Sequence, residues 1–311
     1  MLAACYIDNR ERNRHTMYGH CPVLVTGASG RTGRRVVSAL AKTELEVRAF
    51  IRRAEVTTEM EALGANQIAL GDLFDADSLT DAISGCGQVL HICPPMHPME
   101  AELARTVTDL CQRHGVGRLV LYSVLHPLAT EVPHHGRKLA AEQYLVNSGL
   151  PYTILQPARY MQHLTPIWNR VLETGIHDMP FSIESRFSVV DLGDLADAVA
   201  IVLSGDGHEG ATYQLAGPQA LNQCDMAGII SEVVGRPVHA RAKGLEEFRV
   251  DAAAAGTAPE RIETMCIMNR HYSAHGLTGN ANVLRWLLGR EPTDFRTFIE
   301  RDLAGKSQTT K

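Results

Sequence analysis

No apolar run in this chain approaches the ~18 residues that a membrane-spanning helix needs. The opening twenty residues, "MLAACYIDNRERNRHTMYGH", hold no apolar stretch of signal-peptide length and read as a disordered extension over 1–20. Cysteine offers no framework: the seven residues (5, 21, 86, 93, 111, 224 and 266) are scattered, odd in number and free of any C-x-x-C spacing. That excludes a disulfide scaffold and argues against a metal site, so a reducing, cytoplasmic setting is expected. Basic excess is missing as well. The formal net charge is −5, which speaks against nucleic acid as the main partner, and the lack of a spanning segment speaks against a membrane. There is no internal repeat and no low-complexity tract.

What the chain does have is the composition of a packed core: 311 residues, 45% hydrophobic and 21% charged. Apolar runs alternate with helical patterns. Strands are expected at 22–30, 46–53, 65–73, 87–95, 117–124 and 151–157. Helices follow most of them, one capped by Asp75 or Asp77 and ending at Gly85, another over 134–148. This rhythm predicts an α/β fold, a doubly wound parallel Rossmann sheet covered on both faces. After residue 157 the rhythm breaks into shorter segments. A helix at 193–205 and a strand at 211–217 then read as a return to the large sheet. The expected division is a nucleotide-binding domain at 21–157, with a return segment at about 186–217, and a smaller α/β substrate lobe within 158–311.

The first strand runs into Gly27, Gly30 and Gly33, a G-x-x-G-x-x-G spacing in which Ser29 stands just before Gly30. A pyrophosphate needs bare backbone N–H groups at a helix N-terminus, and side chains at these positions would block the turn or the approach. Ser29, Arg31 and Thr32 belong to the same loop. At the end of the second strand, where NAD-binding chains usually carry an acid, this one has Arg52 and Arg53. A guanidinium grips a 2′-phosphate that an acid would repel, so NADP(H) is favoured and NAD(H) stays open. Asp72, followed by Leu73, is placed either to accept from the adenine amino group or to cap the next helix. Cys93 and Pro94 lie at the end of the fourth strand, where a parallel sheet opens to ligand; the thiol itself is read as packing.

These residues resemble the NmrA-like group of atypical short-chain dehydrogenases/reductases. The likeness rests on "VLVTGASGRTGRRV", "VRAFIRR", "GDLFDADSL", "LVLYSVLHP", "PHHGRKLAAEQYLVNSGLPYTILQPARYMQ", "VVDLGDLADAVAIVL" and "VLRWLLGREPTDF". It implies a nucleotide-binding fold, a backbone contact from Pro157 to the nicotinamide carboxamide, and one of two roles. The first is an NADPH-dependent reductase of a small, aromatic or quinone-like molecule. The alternative is a non-catalytic sensor of NAD(P) redox state that signals to a partner protein. Monomer and homodimer are both open.

Ordinary members of the wider family use Tyr-x-x-x-Lys beside a serine. Here Lys138 and Ser123 match, but His134 stands where the tyrosine would be, and Tyr144 lies off the helical face of Lys138. Three readings follow. His134 or His135 donates the proton, since imidazole titrates near neutrality. Or Lys138 orients the nicotinamide and the acceptor takes its proton from water. Or the histidines only hydrogen-bond at a helix start while Lys138 anchors cofactor. Tyr160, Met161, His163, Trp168 and Phe187 are candidates to line an apolar substrate pocket.

Overall fold

The computed structural model describes residues 21–304, so the extension read at 1–20 lies outside the described residues. Seven parallel strands form one sheet: β1 (Val23–Val25), β2 (Val47–Ile51), β3 (Gln67–Leu70), β4 (Gln88–His91), β5 (Arg118–Tyr122), β6 (Tyr152–Pro157) and β9 (Ala211–Leu215), in the order β3-β2-β1-β4-β5-β6-β9. The strands are apolar on both faces because both are covered. Val120 and Tyr122 of β5 point into one core, Leu119 and Leu121 into the other.

The first core lies beneath α1 (Arg31–Leu40), the short α2 (Thr57–Ala62) and a later helix, α7 (Leu192–Ser204). The second lies beneath α3 (Ala76–Ile83), α4 (Glu100–Arg113) and α5 (Pro133–Asn147). Asp75, one of the two expected caps, accepts from the Asp77 N–H at the start of α3. Pro133 opens α5, where a missing N–H costs nothing.

Strand order reverses beside β1, which pairs with β2 on one side and β4 on the other. Crossovers therefore leave a cleft above the carboxyl ends of these strands. Beyond β6 the chain forms α6 (Trp168–Thr174), β7 (Ile176–Met179), β8 (Phe187–Val189), β10 (Gln219–Leu221), α8 (Gln223–Val234), β11 (His239–Ala242), α9 (Leu245–Ala254), α10 (Pro259–His275), α11 (Asn282–Leu288) and α12 (Phe295–Ile299). Of the segment 186–217, only β9 enters the large sheet. Strand β8 pairs antiparallel with β10 instead, held so close to Gly217 that a β-carbon there would overlap the Val189 carbonyl.

Candidate active site

The turn after β1 is built around absent side chains. Gly27 adopts φ +62, and a β-carbon on it would lie 2.7 Å from the Ile92 carbonyl oxygen. Its carbonyl accepts from the Gly30 N–H at 3.0 Å, which closes the turn. Gly33, in the first turn of α1, would bring a β-carbon within 2.3 Å of the Gly27 oxygen and 2.5 Å of the Ala28 oxygen. Gly30 starts α1 with no side-chain cap and no acid in the first turn, so the positive end of the helix stays available to an anion. Thr26 braces the turn, its hydroxyl accepting from the Ile92 N–H at 2.9 Å and meeting His91 Nδ1 at 3.1 Å. A bare cradle at a helix start fits a dinucleotide pyrophosphate.

Arg52 and Arg53 follow β2 directly, are exposed, and bond to no side chain among the described residues. Asp72 is engaged locally: its Oδ1 accepts from the Phe74 N–H at 3.0 Å, while the cap of α3 is Asp75. The expectation that Asp72 caps that helix is thereby corrected; the Asx turn it makes comes first. Leu73 packs on the edge of the second core. Burial pushes the Cys93 thiol up to about 12, so it is no nucleophile, and Pro94 beside it is exposed at the cleft.

Lys138 sits at the floor of the cleft. Its Nζ donates to the Tyr122 carbonyl oxygen at 2.6 Å and pairs with Glu100 Oε1 at 2.7 Å. That carboxylate, at the start of α4, is almost wholly buried and has no hydrogen-bond geometry to any other group. Glu100 carried no signal in the sequence, because a separate helix brings it to Lys138.

The two histidines have different surroundings. His134 is buried with Nδ1 unpartnered, and burial, helped by neighbouring positive groups, lowers its pKa to about 3. His135 is buried completely. Its Nδ1–H donates to the His126 carbonyl at 2.8 Å, which fixes Nε2 as the acceptor of the Tyr272 hydroxyl at 2.9 Å. Burial lowers it to about 4 against that bond. At neutral pH both rings are therefore neutral, not imidazolium. His126 itself takes a left-handed φ of 56 just before Pro127, and its Nε2–H donates to the Thr278 carbonyl at 2.6 Å.

Ser123, just after β5, is buried. Its hydroxyl donates to Glu142, a buried carboxyl that also receives both bonds of Gln156, at 3.0 and 2.9 Å. Burial raises the Glu142 pKa although these bonds oppose it. Tyr144 donates to Asp109 at 2.7 Å on the outer side of α4 and α5, remote from the cleft floor. The Pro157 carbonyl accepts from the Leu125 N–H at 2.9 Å.

The five residues read as a pocket wall separate into two groups. Met161, Trp168 and Phe187 are buried in the first core, Phe187 packed against Phe181 and Tyr272 with no exposed surface, while Met161 also lines a small cavity together with Tyr160 and His163. Tyr160 and His163 do face the cleft. Their rings stack at 5.4 Å, and the Tyr160 hydroxyl meets that of Tyr122 at 3.2 Å and that of Thr32 in the glycine loop. Arg31 points at the Gln162 carbonyl at 3.5 Å, so the segment after β6 leans on the glycine loop.

Sheet order, glycine turn and cleft together define a dinucleotide-binding Rossmann protein. A family model described as NAD(P)H-binding matches residues 27–204. The chain is 28% identical to the NAD(P)H azoreductase of Xenophilus azovorans, across 91% of this chain and 98% of the relative. It is 30% identical to the (4-alkanoyl-5-oxo-2,5-dihydrofuran-3-yl)methyl phosphate reductase of Streptomyces griseus, across 74% and 78%. A solved NADPH complex of a quinone oxidoreductase from Escherichia coli superimposes with a TM-score of 0.80 at 24% identity, covering 89% of this chain and 98% of that one. The chain belongs to the NAD(P)H-binding family.

Proposed function

We propose that this protein is an NADPH-dependent reductase that delivers hydride to a small, flat acceptor of quinone or dye type. The observation that carries the reading is the glycine turn, packed too closely for side chains and leading into a helix start with no side-chain cap and no acid. Two of the relatives are named as reductases of an azo compound and of a butenolide phosphate, and the Escherichia coli structure as a quinone oxidoreductase. NADPH is preferred over NADH because Arg52 and Arg53 stand exposed at the end of β2, where an acid would be needed for NADH.

When bound, the nicotinamide supplies the hydride. The chain's part is binding, orientation and charge. N–H groups of the glycine turn and the start of α1 hold the pyrophosphate, and Arg52, with Arg31 nearby, holds the 2′-phosphate. Lys138, fixed at the cleft floor by Tyr122 and Glu100, orients the nicotinamide half. Neutral His134 and His135 store no proton for release near pH 7, and Ser123 is committed to Glu142. The acceptor therefore takes its proton from water, which suits a quinone better than an isolated ketone.

The test is the fall in NADPH absorbance with purified protein and a panel of quinones, azo dyes and enones. Turnover with a quinone or dye, and slower oxidation of NADH, is expected. Tight binding of both cofactors with no turnover of any acceptor would instead favour a redox sensor that reports to a partner protein.

A further inference from the structure

Arg159 has no acid to balance it. It follows β6, is partly buried, and forms no ion pair among the described residues. Its guanidinium lies over two rings, 5.2 Å from the centroid of Phe181 and 5.4 Å from that of Phe187. The polar contact it makes is to the Met179 thioether, at 3.7 Å. The neighbouring acid, Asp178, is spent on Arg170, on Arg241 at 2.6 Å and on Lys243 at 3.5 Å. Desolvation brings the Arg159 pKa down to about 10, a cation held where water serves it poorly.

His177 lies beside it, buried and with Nδ1 unpartnered; burial, together with the Arg159 charge, lowers its pKa to about 4, while its ring N–H serves the Gln223 carbonyl. Arg159, His177, Met179, Tyr160 and His163 line one small cavity. Tyr160, whose ring stacks on His163, also bonds to Thr32 of the glycine loop, so this wall of the cavity adjoins the cofactor cleft. A guanidinium with no acid beside it, bordering a cavity, describes a site for an anion.

We infer that Arg159 binds an anionic substituent of the acceptor, a carboxylate, sulfonate or phosphate on an aromatic or conjugated frame. The fork of the guanidinium takes two oxygens of such a group, while the flat frame rests against Tyr160 and His163. The inference rests on the reductase reading above and deepens it: the protein selects acceptors by a negative charge set away from the reducible atoms.

The experiment compares a naphthoquinone with the same naphthoquinone bearing a sulfonate, in wild type, Arg159→Gln and Arg159→Lys. The wild type is expected to favour the sulfonate in kcat/KM by about tenfold or more, with the ratio near one in Arg159→Gln and intermediate in Arg159→Lys. In parallel, calorimetry with naphthalene sulfonate and naphthalene carboxamide reads binding without chemistry, and the same preference and loss are expected. If neither quinone is turned over, the reductase reading fails, and the calorimetric preference still decides the role of Arg159. Equal affinity for sulfonate and carboxamide in the wild type would overturn the inference. So would a preference that survives Arg159→Gln, binding matched by inorganic sulfate, or weakened NADPH affinity with an unaltered acceptor ratio.

Discussion

A single methyl group tests the glycine turn. In Gly33→Ala the new carbon meets backbone oxygens of residues 27 and 28, which cannot rotate away as a side chain would. Overpacking of this kind costs about 1–3 kcal/mol, and the turn that must shift is the one that holds pyrophosphate. The variant should therefore unfold at lower urea and bind NADPH about tenfold more weakly or worse; a wild-type denaturation curve and affinity would refute the cradle. Arg52 is the matching test of cofactor choice. Arg52→Asp should weaken NADPH binding by about tenfold or more while NADH binding improves relative to it. NADPH affinity untouched by that reversal would remove Arg52 from the phosphate site. Both residues were legible in the sequence because spacing and charge alone mark them. Glu100, Arg159 and His177 were not, since their meaning lies in a partner supplied, or withheld, by another element.

At the scale of elements, α7 shows how the far half of the chain supports the near half. Asp191 caps it, accepting from the Gly193 N–H at 2.8 Å and the Asp194 N–H at 3.2 Å. The same carboxylate takes Gln162 at 2.8 Å and Arg301 at 2.9 Å, joining the segment after β6 to the end of the described chain. Asp191→Ala loses the cap, worth about 1 kcal/mol, and strands the buried Gln162 amide, so a loss of about 2–3 kcal/mol is expected in chemical denaturation. A loss below about 0.5 kcal/mol would mean that the cap and its attachments are idle. Helix α7 and the strands of the large sheet could be read in advance because their apolar periodicity is strong. Helix α10 is not legible in the sequence. It buries Ile262, Cys266, Asn269 and Tyr272, a stripe half polar in composition that carries little helical signal. Strands β7, β8, β10 and β11 are three or four residues long, too short for alternation to declare itself.

The molecule as a whole carries buried neutral histidines, and this sets its response to acid. His91 and His134 are lowered to about 3, His135 and His177 to about 4, in each case chiefly by burial. Unfolded, each returns to an ordinary value near 6.5. Between these limits the unfolded chain binds more protons, so stability is full above about pH 6.5 and falls as the pH drops toward the folded values. Each ring should cost about 1 kcal/mol between pH 7 and 5.5. Melting curves across that interval check the sum, and a flat profile would show that the rings charge freely in the folded state.

The parallel sheet and its cofactor edge were legible across the whole chain because alternation and glycine spacing are local properties. The acceptor side was not, because residues with pocket-like chemistry such as Phe187 and Trp168 turn out to serve the core. What the account depends on most is the dinucleotide in the glycine turn. Titration calorimetry of the purified protein with NADPH and with NADH measures it directly. The expected result is saturable one-to-one binding, with NADPH tighter by about tenfold; no heat of binding from either dinucleotide at high protein concentration would contradict the account.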